Sequence, residues 1–556
     1  MLFTLSSFSS VGVVVLLLVT SLVVEYLRNP LRKVPAAHPL AHFTSLWIHA
    51  VRWRGVENTT LKAAHDRLGP IVCLGPREIS VNGVKGGIRD VYAGGFEKVC
   101  ARDGYNWYSF FSNYGGVDNM FSTGSNKPHS QRKRMLSNIY SKSHVTASDA
   151  LLAQASNIVY RRFLPFLERT FSEPDKGILN MYSLLSATTM DIVTCYIFGL
   201  KAGSNLIDDG QQLAWFLDLY NSRRSFNFWP QEFPRLSAFV EKWLNYRLTP
   251  KWVDVANGEI EEWTVNMCES AGAVVIAGAA DVQDRPVVYQ QLQQSMAKQS
   301  VKEDGLDKAI ASEVLDHLAA GFDTSGITLT YVVHELSQHP DVQARLQHEL
   351  LSLSPRLVPS SAPQLPDPKT VDSLPFLHAV IWETLRLHSA IPGPQPRFTP
   401  LQGCHLGPEE ASYYVPGGVR VSASAGLLHL NEEVFERANE WRPERWLDMD
   451  KLGGEKRKDM ESRWFWAFGR SVALLKAKIS HLPCAAAAVC ALGAIWRCTV
   501  SACQVLYGKM KYIVAALYSS YSTSIVDDAG IEQMDSYTAP PKSEKLIVRL
   551  QKLSQE

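Results

Sequence analysis

Two residue groups in this 556-residue chain have informative types and spacing, one suited to chemistry and one to holding a loop. The first is Ala320-Gly321-Phe322-Asp323-Thr324-Ser325, set within a helical pattern around residues 315–337. An acid next to an alcohol can hand protons to a bound oxidant. The small pair before them lets a flat group or a ligand approach the backbone. Glycine in mid-helix costs about 1 kcal/mol, and Thr or Ser can bond the preceding turn and bend the helix. The competing reading is therefore a packing kink with a solvated Asp323.

The second group is Glu383-Thr384-Leu385-Arg386, followed by Trp441-Arg442-Pro443-Glu444-Arg445-Trp446. Glu383 and Arg386 stand at i, i+3 on one helix face. With Arg445 they can form a buried, bidentate network that fixes a loop and performs no chemistry. The basic run His129-Ser130-Gln131-Arg132-Lys133-Arg134 reads either as an anion-gripping helix or as a solvated face. Near the carboxyl end, Trp464-Phe465-Trp466-Ala467-Phe468-Gly469 opens a loop.

Mainly helical elements position these groups. Residues 71–81 read as two short strands about the Gly75-Pro76 turn. An aromatic-dense stretch over 105–121, with Trp107, Phe111 and Phe121, is loop or short helix. It could line an apolar pocket or simply pack the core. Helical periodicity dominates 150–350, and a further helix runs from Pro375 to His388. Pro392, Pro394, Pro396 and Pro400 then force extended chain around Arg397. The missing βαβ alternation argues against a Rossmann-type nucleotide domain.

Composition narrows the classes. Lys+Arg 56 against Asp+Glu 55 leaves a net charge of +1, so nothing electrostatic favours nucleic acid. Nine cysteines without paired spacing make neither a disulfide framework nor a structural zinc site. Residues 1–25 read as a transmembrane anchor, since Leu2 to Val24 carries no charge. A basic, Pro-containing hinge follows over 26–40, with Arg28, Arg32 and Lys33. Positive charge after the apolar run places the remainder, 41–556, in the cytosol.

The order of these elements resembles the cytochrome P-450 family of haem-thiolate monooxygenases, and looks most like its microsomal, fungal type. The resemblance implies a mainly α, single-domain fold with small β-sheets behind the anchor. It implies haem (heme b) as cofactor, with electrons from NADPH through a membrane-bound cytochrome reductase. It further implies a lipophilic small-molecule substrate, plausible in fungal secondary metabolism, and an endoplasmic reticulum membrane location. On the matching positions, Asp323 and Thr324 are the proton-delivery acid and alcohol. Ala320 and Gly321 lie by the haem face, and Glu383, Arg386 and Arg445 form the structural triad. Arg397, with His129 and Arg132 or Lys133, holds the propionates, and Phe468 opens the haem loop.

The family's loop then breaks. After Gly469 the chain reads Arg470-Ser471-Val472-Ala473, without the further glycines and the ligand cysteine. The pattern resumes near Met510. The interval 470–509 holds Cys484, Cys490, Cys498 and Cys503, and no Asp or Glu occurs from Ser462 to Val526. Cys498 stands nearest the usual spacing but lacks the glycines that turn the backbone toward the sulfur. The iron's axial ligand is therefore unassigned. The interval reads as a splicing or gene-model substitution, and the rival reading is a haem-free, inactive remnant.

Overall fold

The computed structural model describes residues 26–172, 176–298, 303–447, 452–467 and 497–553, with Met449 and scattered positions between 13 and 24. The expected anchor thus falls largely outside the described residues. Val13, Leu16, Leu17, Val19, Val23 and Val24 are helical and exposed.

In chain order the strands are β1 (Ile71–Gly75), β2 (Glu78–Val81), β3 (Ile178–Asn180), β4 (Arg397–Phe398) and β5 (Cys404–Leu406). β6 (Tyr413–Val415), β7 (Arg420–Ala423), β8 (Tyr521–Asp527) and β9 (Ile547–Lys552) complete them. The helices that matter here are α1 (Asn126–Leu136), α2 (Met181–Phe198), α3 (Gly210–Ser222) and α4 (Glu303–Gln338). They are followed by α5 (Pro375–Leu387) and α6 (Arg497–Ser520). The mainly helical class with small sheets is as expected, and the contacts group the chain into two units.

The first unit comprises residues 1–107 and 393–427. Its sheet has the order β1-β2-β7-β4. β1 and β2 form the antiparallel pair that the Gly75-Pro76 turn predicts, and β2 lies parallel to β7 with Glu78 opposite Arg420. Ile48, Leu61, Val72 and Leu74 fill the core beneath. β4, the expected extended segment, pairs Arg397 with Val421.

The second unit comprises residues 108–392 and 428–556. Its axis is the 36-residue helix α4, packed against α2. Helix α2 is long and apolar enough to cross a membrane, yet 94% of it is buried inside the protein, so it is a core helix. Asn180 caps its start by accepting from the Tyr182 amide (3.1 Å). Gly199 ends it at φ 86°, where an added Cβ would lie 2.2 Å from the Asp284 carbonyl oxygen. Helix α5 begins with Pro375, and the Glu349 carboxylate accepts from the Phe376 and Leu377 amides (2.7 and 2.8 Å). β3, β9 and β8 form its sheet, with β9 in the middle.

Candidate active site

Helix α4 carries Asp323 and Thr324 at its centre without interruption. Thr324 Oγ1 donates to the Ala320 carbonyl at 2.7 Å, and Thr328 repeats the pattern onto Thr324 (2.9 Å). These bonds satisfy the hydroxyls inside the helix. Between Ile310 and Leu336 every residue of α4 is buried except Asp316, Ala319, Ala320 and Thr324. Those four share one face at helical spacing. The small side chains of Ala319 and Ala320 therefore border an opening along an otherwise closed helix.

Asp323 is not solvated, unlike in the competing reading. It is 4% exposed. Arg224 Nη2 donates to its Oδ1 at 2.9 Å, and the Tyr220 hydroxyl donates to Oδ2 at 3.4 Å. Arg224 also donates to Asn221 Oδ1 (3.2 and 3.1 Å) and to Thr538 Oγ1 (2.5 Å). One guanidinium so joins the end of α3, the centre of α4 and the carboxyl-terminal loop. Burial works against its charge, but the Asp323 carboxylate, the Tyr220 and Tyr182 phenols and the hydrogen bond to Asp323 together outweigh burial and move its pKa upward. Burial, reinforced by that same carboxylate, pushes the Tyr220 phenol up as well.

The aromatic stretch lies beside this cluster. Phe121 packs edge-on against Tyr108 (5.1 Å) and Phe111 (4.9 Å), and Phe111 reaches Tyr537 at 5.7 Å. Tyr537 precedes the Thr538 that Arg224 holds. Phe111, Phe121 and Tyr537 are each half-buried, as side chains lining an apolar space would be.

The expected triad is present with full geometry. Arg386 grips Glu383 bidentately, Nε to Oε2 at 2.9 Å and Nη2 to Oε1 at 2.8 Å. Arg445 Nε donates to the same Oε1 (2.8 Å), and the Arg442 amide and Trp446 indole add bonds at 2.9 Å each. The remaining Arg386 hydrogens meet the carbonyls of His429 (2.8 Å), Ala438 (2.6 Å) and Glu440 (3.1 Å). Glu383 and Arg386 are fully buried, and every polar atom of this pair finds a partner. That is the condition under which a buried ion pair holds a loop firmly.

The basic run forms α1. His129 and Lys133 are buried one turn apart on the same face. Arg132 instead pairs with the fully buried Glu313 of α4 at 2.8 Å. Arg397 belongs to the first unit, 2% exposed, with its guanidinium 5.2 Å from the Tyr92 ring centre and Nη1 donating to the Pro396 carbonyl (2.8 Å).

Phe468, Cys484 and Cys490 lie outside the described residues. Cys498 and Cys503 fall within α6. Trp464–Ala467, the start of the loop, is described, and Phe465 stacks on Trp382 at 4.6 Å. Among the described residues no group of three or more His, Cys, Asp or Glu could cage a metal ion. The described cysteines, Cys73, Cys100, Cys195, Cys268 and Cys404, are free thiols, and burial pushes each one's pKa up.

A helix-borne acid and alcohol, a strip of small residues beside them and a buried Glu-Arg-Arg network thus stand together in a mainly helical protein. The sequence pattern of the cytochrome P450 family matches residues 43–470. The chain belongs to that family. The match ends at Arg470. Among its relatives, the cytochrome P450 monooxygenase hkm5 of Aspergillus hancockii is 26% identical over 455 residues, 77% of this chain and 78% of that one. The cytochrome P450 monooxygenase avaI of Aspergillus versicolor is 26% identical over 416 residues, 73% of this chain and 90% of that one. The fusicoccadiene C-8 hydroxylase of Alternaria brassicicola is 25% identical over 435 residues, 76% of this chain and 78% of that one.

The partly exposed strip of Asp316, Ala319, Ala320 and Thr324 is the face of α4 against which a haem would lie, and its small side chains suit a flat group. Arg224, Tyr220 and Glu313 were not singled out from the sequence. Arg223-Arg224 is visible there only as a basic pair after an amphipathic segment, and nothing local connects it to Asp323.

Proposed function

We propose that the protein is a haem-dependent monooxygenase of fungal secondary metabolism, inserting one atom of dioxygen into a lipophilic small molecule. Family membership over 43–470 supports this, together with Thr324 on the partly exposed strip of α4 and the buried Asp323 beside it. When bound, the haem supplies the oxygen-activating chemistry, and the protein supplies pocket, protons and electrostatics. Ala320 and Gly321 keep the helix face flat. Asp323 holds a carboxylate, and Thr324 Oγ1 a hydroxyl, at the edge of that face. By the resemblance, His129 and Arg132 or Lys133 of α1 are cations for the propionates, and Arg132 also pairs with Glu313. Arg397, in the first unit, is carried over on the resemblance alone. The half-buried Phe111, Phe121 and Tyr537 suit an apolar guest. Fusicoccadiene, the hydrocarbon named for the Alternaria relative, is of that kind.

Electrons come from NADPH through a membrane-bound reductase, and residues 1–25 hold the chain in the endoplasmic reticulum membrane with residues 41–556 in the cytosol. Fractionation of the full chain and of a chain lacking residues 1–25 tests this. Both remaining in the soluble fraction would overturn the anchor.

The interval 470–509 replaces the family's glycine-flanked cysteine loop with out-of-frame or intronic codons in this reading. A reading of the chain as a haem-free remnant gains nothing from the intact Glu383 network or from the family match. The deciding experiment is the reduced, carbon-monoxide difference spectrum of this chain beside that of the chain encoded by the dominant transcript. A red-shifted thiolate Soret band in the transcript product alone supports both the function and the substitution. The same band in this chain assigns the ligand to one of Cys484, Cys490, Cys498 and Cys503. No haem signal in either overturns the function.

A further inference from the structure

One buried histidine is not accounted for by the triad, by the open strip or by the pocket. His429 is fully buried in the second unit. Its Nε2 lies 2.8 Å from the backbone nitrogen of Trp466 and accepts that N–H. Nδ1 therefore carries the proton. That proton faces the Arg386 carbonyl at 3.1 Å and Ser389 Oγ at 2.9 Å. The imidazole also stacks on Phe465 (5.3 Å, 21°), and the His429 carbonyl accepts from Arg386 Nη1 at 2.8 Å. One residue thus links the backbone of the E-x-x-R helix to the backbone that opens the next loop.

From this geometry we infer that His429 is a positioning residue that pins the chain at Trp466 through a neutral imidazole accepting the Trp466 amide. The triad alone cannot do this. Glu383, Arg386 and Arg445 fix residues 436–446, and among the described residues their hydrogen bonds reach no further along the chain than Trp446. From there to Trp466 the chain crosses a helical turn over 454–463 whose ion pairs, such as Arg463 with Asp459 and Glu455, are exposed and local. Exposed pairs of that kind contribute little. The bond from Trp466 is buried and reaches 37 residues back. Burial, aided by the Arg386 charge, holds the His429 pKa down to about 3, so the acceptor nitrogen stays free of a proton at neutral pH. That Trp466 leads into a haem loop rests on the function proposed above; the pinning itself does not.

The test is amide hydrogen exchange resolved at Trp466 in the full chain, with no haem required. In the unsubstituted protein the Trp466 amide should exchange far more slowly than an unprotected amide. Exchange at the unprotected rate would overturn the inference without any variant. His429→Asn keeps a polar group near Nδ1 but cannot reach Trp466, so exchange there should rise by about tenfold, as for one lost buried hydrogen bond. The β8–β9 hairpin, read in the same experiment, should change little. His429→Gln places a carbonyl near the Nε2 position and should restore protection. Equal loss of protection in both variants, or loss spread evenly to the hairpin, would mean that His429 only packs. The carbon-monoxide spectrum is a separate readout, so failure of the haem assignment and failure of the pinning are distinguishable.

Discussion

Arg224 and Asp323 lie 99 residues apart in the chain and meet at 2.9 Å between Nη2 and Oδ1. The pair puts a charged clamp on the acid that stands beside Thr324. It also makes the end of α3 and the Thr538 loop report on the state of α4.

Breaking that pair from one side leaves a charge buried without its partner. Arg224→Met is expected to destabilise the protein by roughly 3 kcal/mol, the cost of an uncompensated buried carboxylate. Asp323→Asn in the same background removes that carboxylate and should recover most of the loss. A double-mutant cycle by urea denaturation measures the coupling, and additive effects would show that the two groups do not interact.

Glu383 accepts from two guanidiniums, an indole and a backbone amide. Glu383→Gln keeps the shape but removes the charge between Arg386 and Arg445, and should cost about 3–5 kcal/mol. Arg386→Lys should be no milder, because an ammonium cannot satisfy the carboxylate and three carbonyls at once. Unfolding followed by tryptophan emission checks both, since Trp446 bonds Glu383 directly.

Lys509 closes the atypical interval and is buried among Ile192, Cys195 and Tyr196, with Nζ at 3.3 Å from the Ile192 carbonyl. Burial lowers its pKa from 10.5 to about 8, opposed in part by Cys195. The unfolded chain therefore holds a proton that the folded chain has released between pH 8 and 10.5. Stability on this account rises with pH through that window. Lys509→Met should raise stability at pH 7 by roughly 2 kcal/mol and remove that part of the slope. An unchanged melting temperature would show that the ammonium is hydrated in place.

On the acid side, burial lowers His317 to about 4 and His429 to about 3, both from 6.5. The unfolded chain takes up these protons first, so stability falls as pH drops from 6.5 toward 4. Asp191 acts the other way. Burial raises it from 3.8 to about 6, so its folded form binds the proton more tightly, and its contribution weakens as pH rises through that range. One histidine is roughly cancelled and the other remains. Denaturation midpoints at successive pH values should decline below 6.5, and His317→Gln should flatten the decline.

Much of this architecture is legible in the sequence because its signals are local. The Gly75-Pro76 turn announces β1 and β2, Pro375 announces α5, and the i, i+3 spacing places Glu383 and Arg386 on one face before any packing is known. The acid-alcohol pair on α4 and the absence of cysteine from Arg470 to Pro483 are likewise matters of residue order alone. Tertiary structure decided which partner each charged group takes. Arg132 turns to Glu313, 181 residues away, and Arg224 to Asp323. His429 accepts an amide that no periodicity links to it. Spacing along a helix constrains neighbours within a turn or two. Partners separated by a hundred residues are selected only when apolar faces pack, and a buried charge must then take the counter-charge that packing delivers.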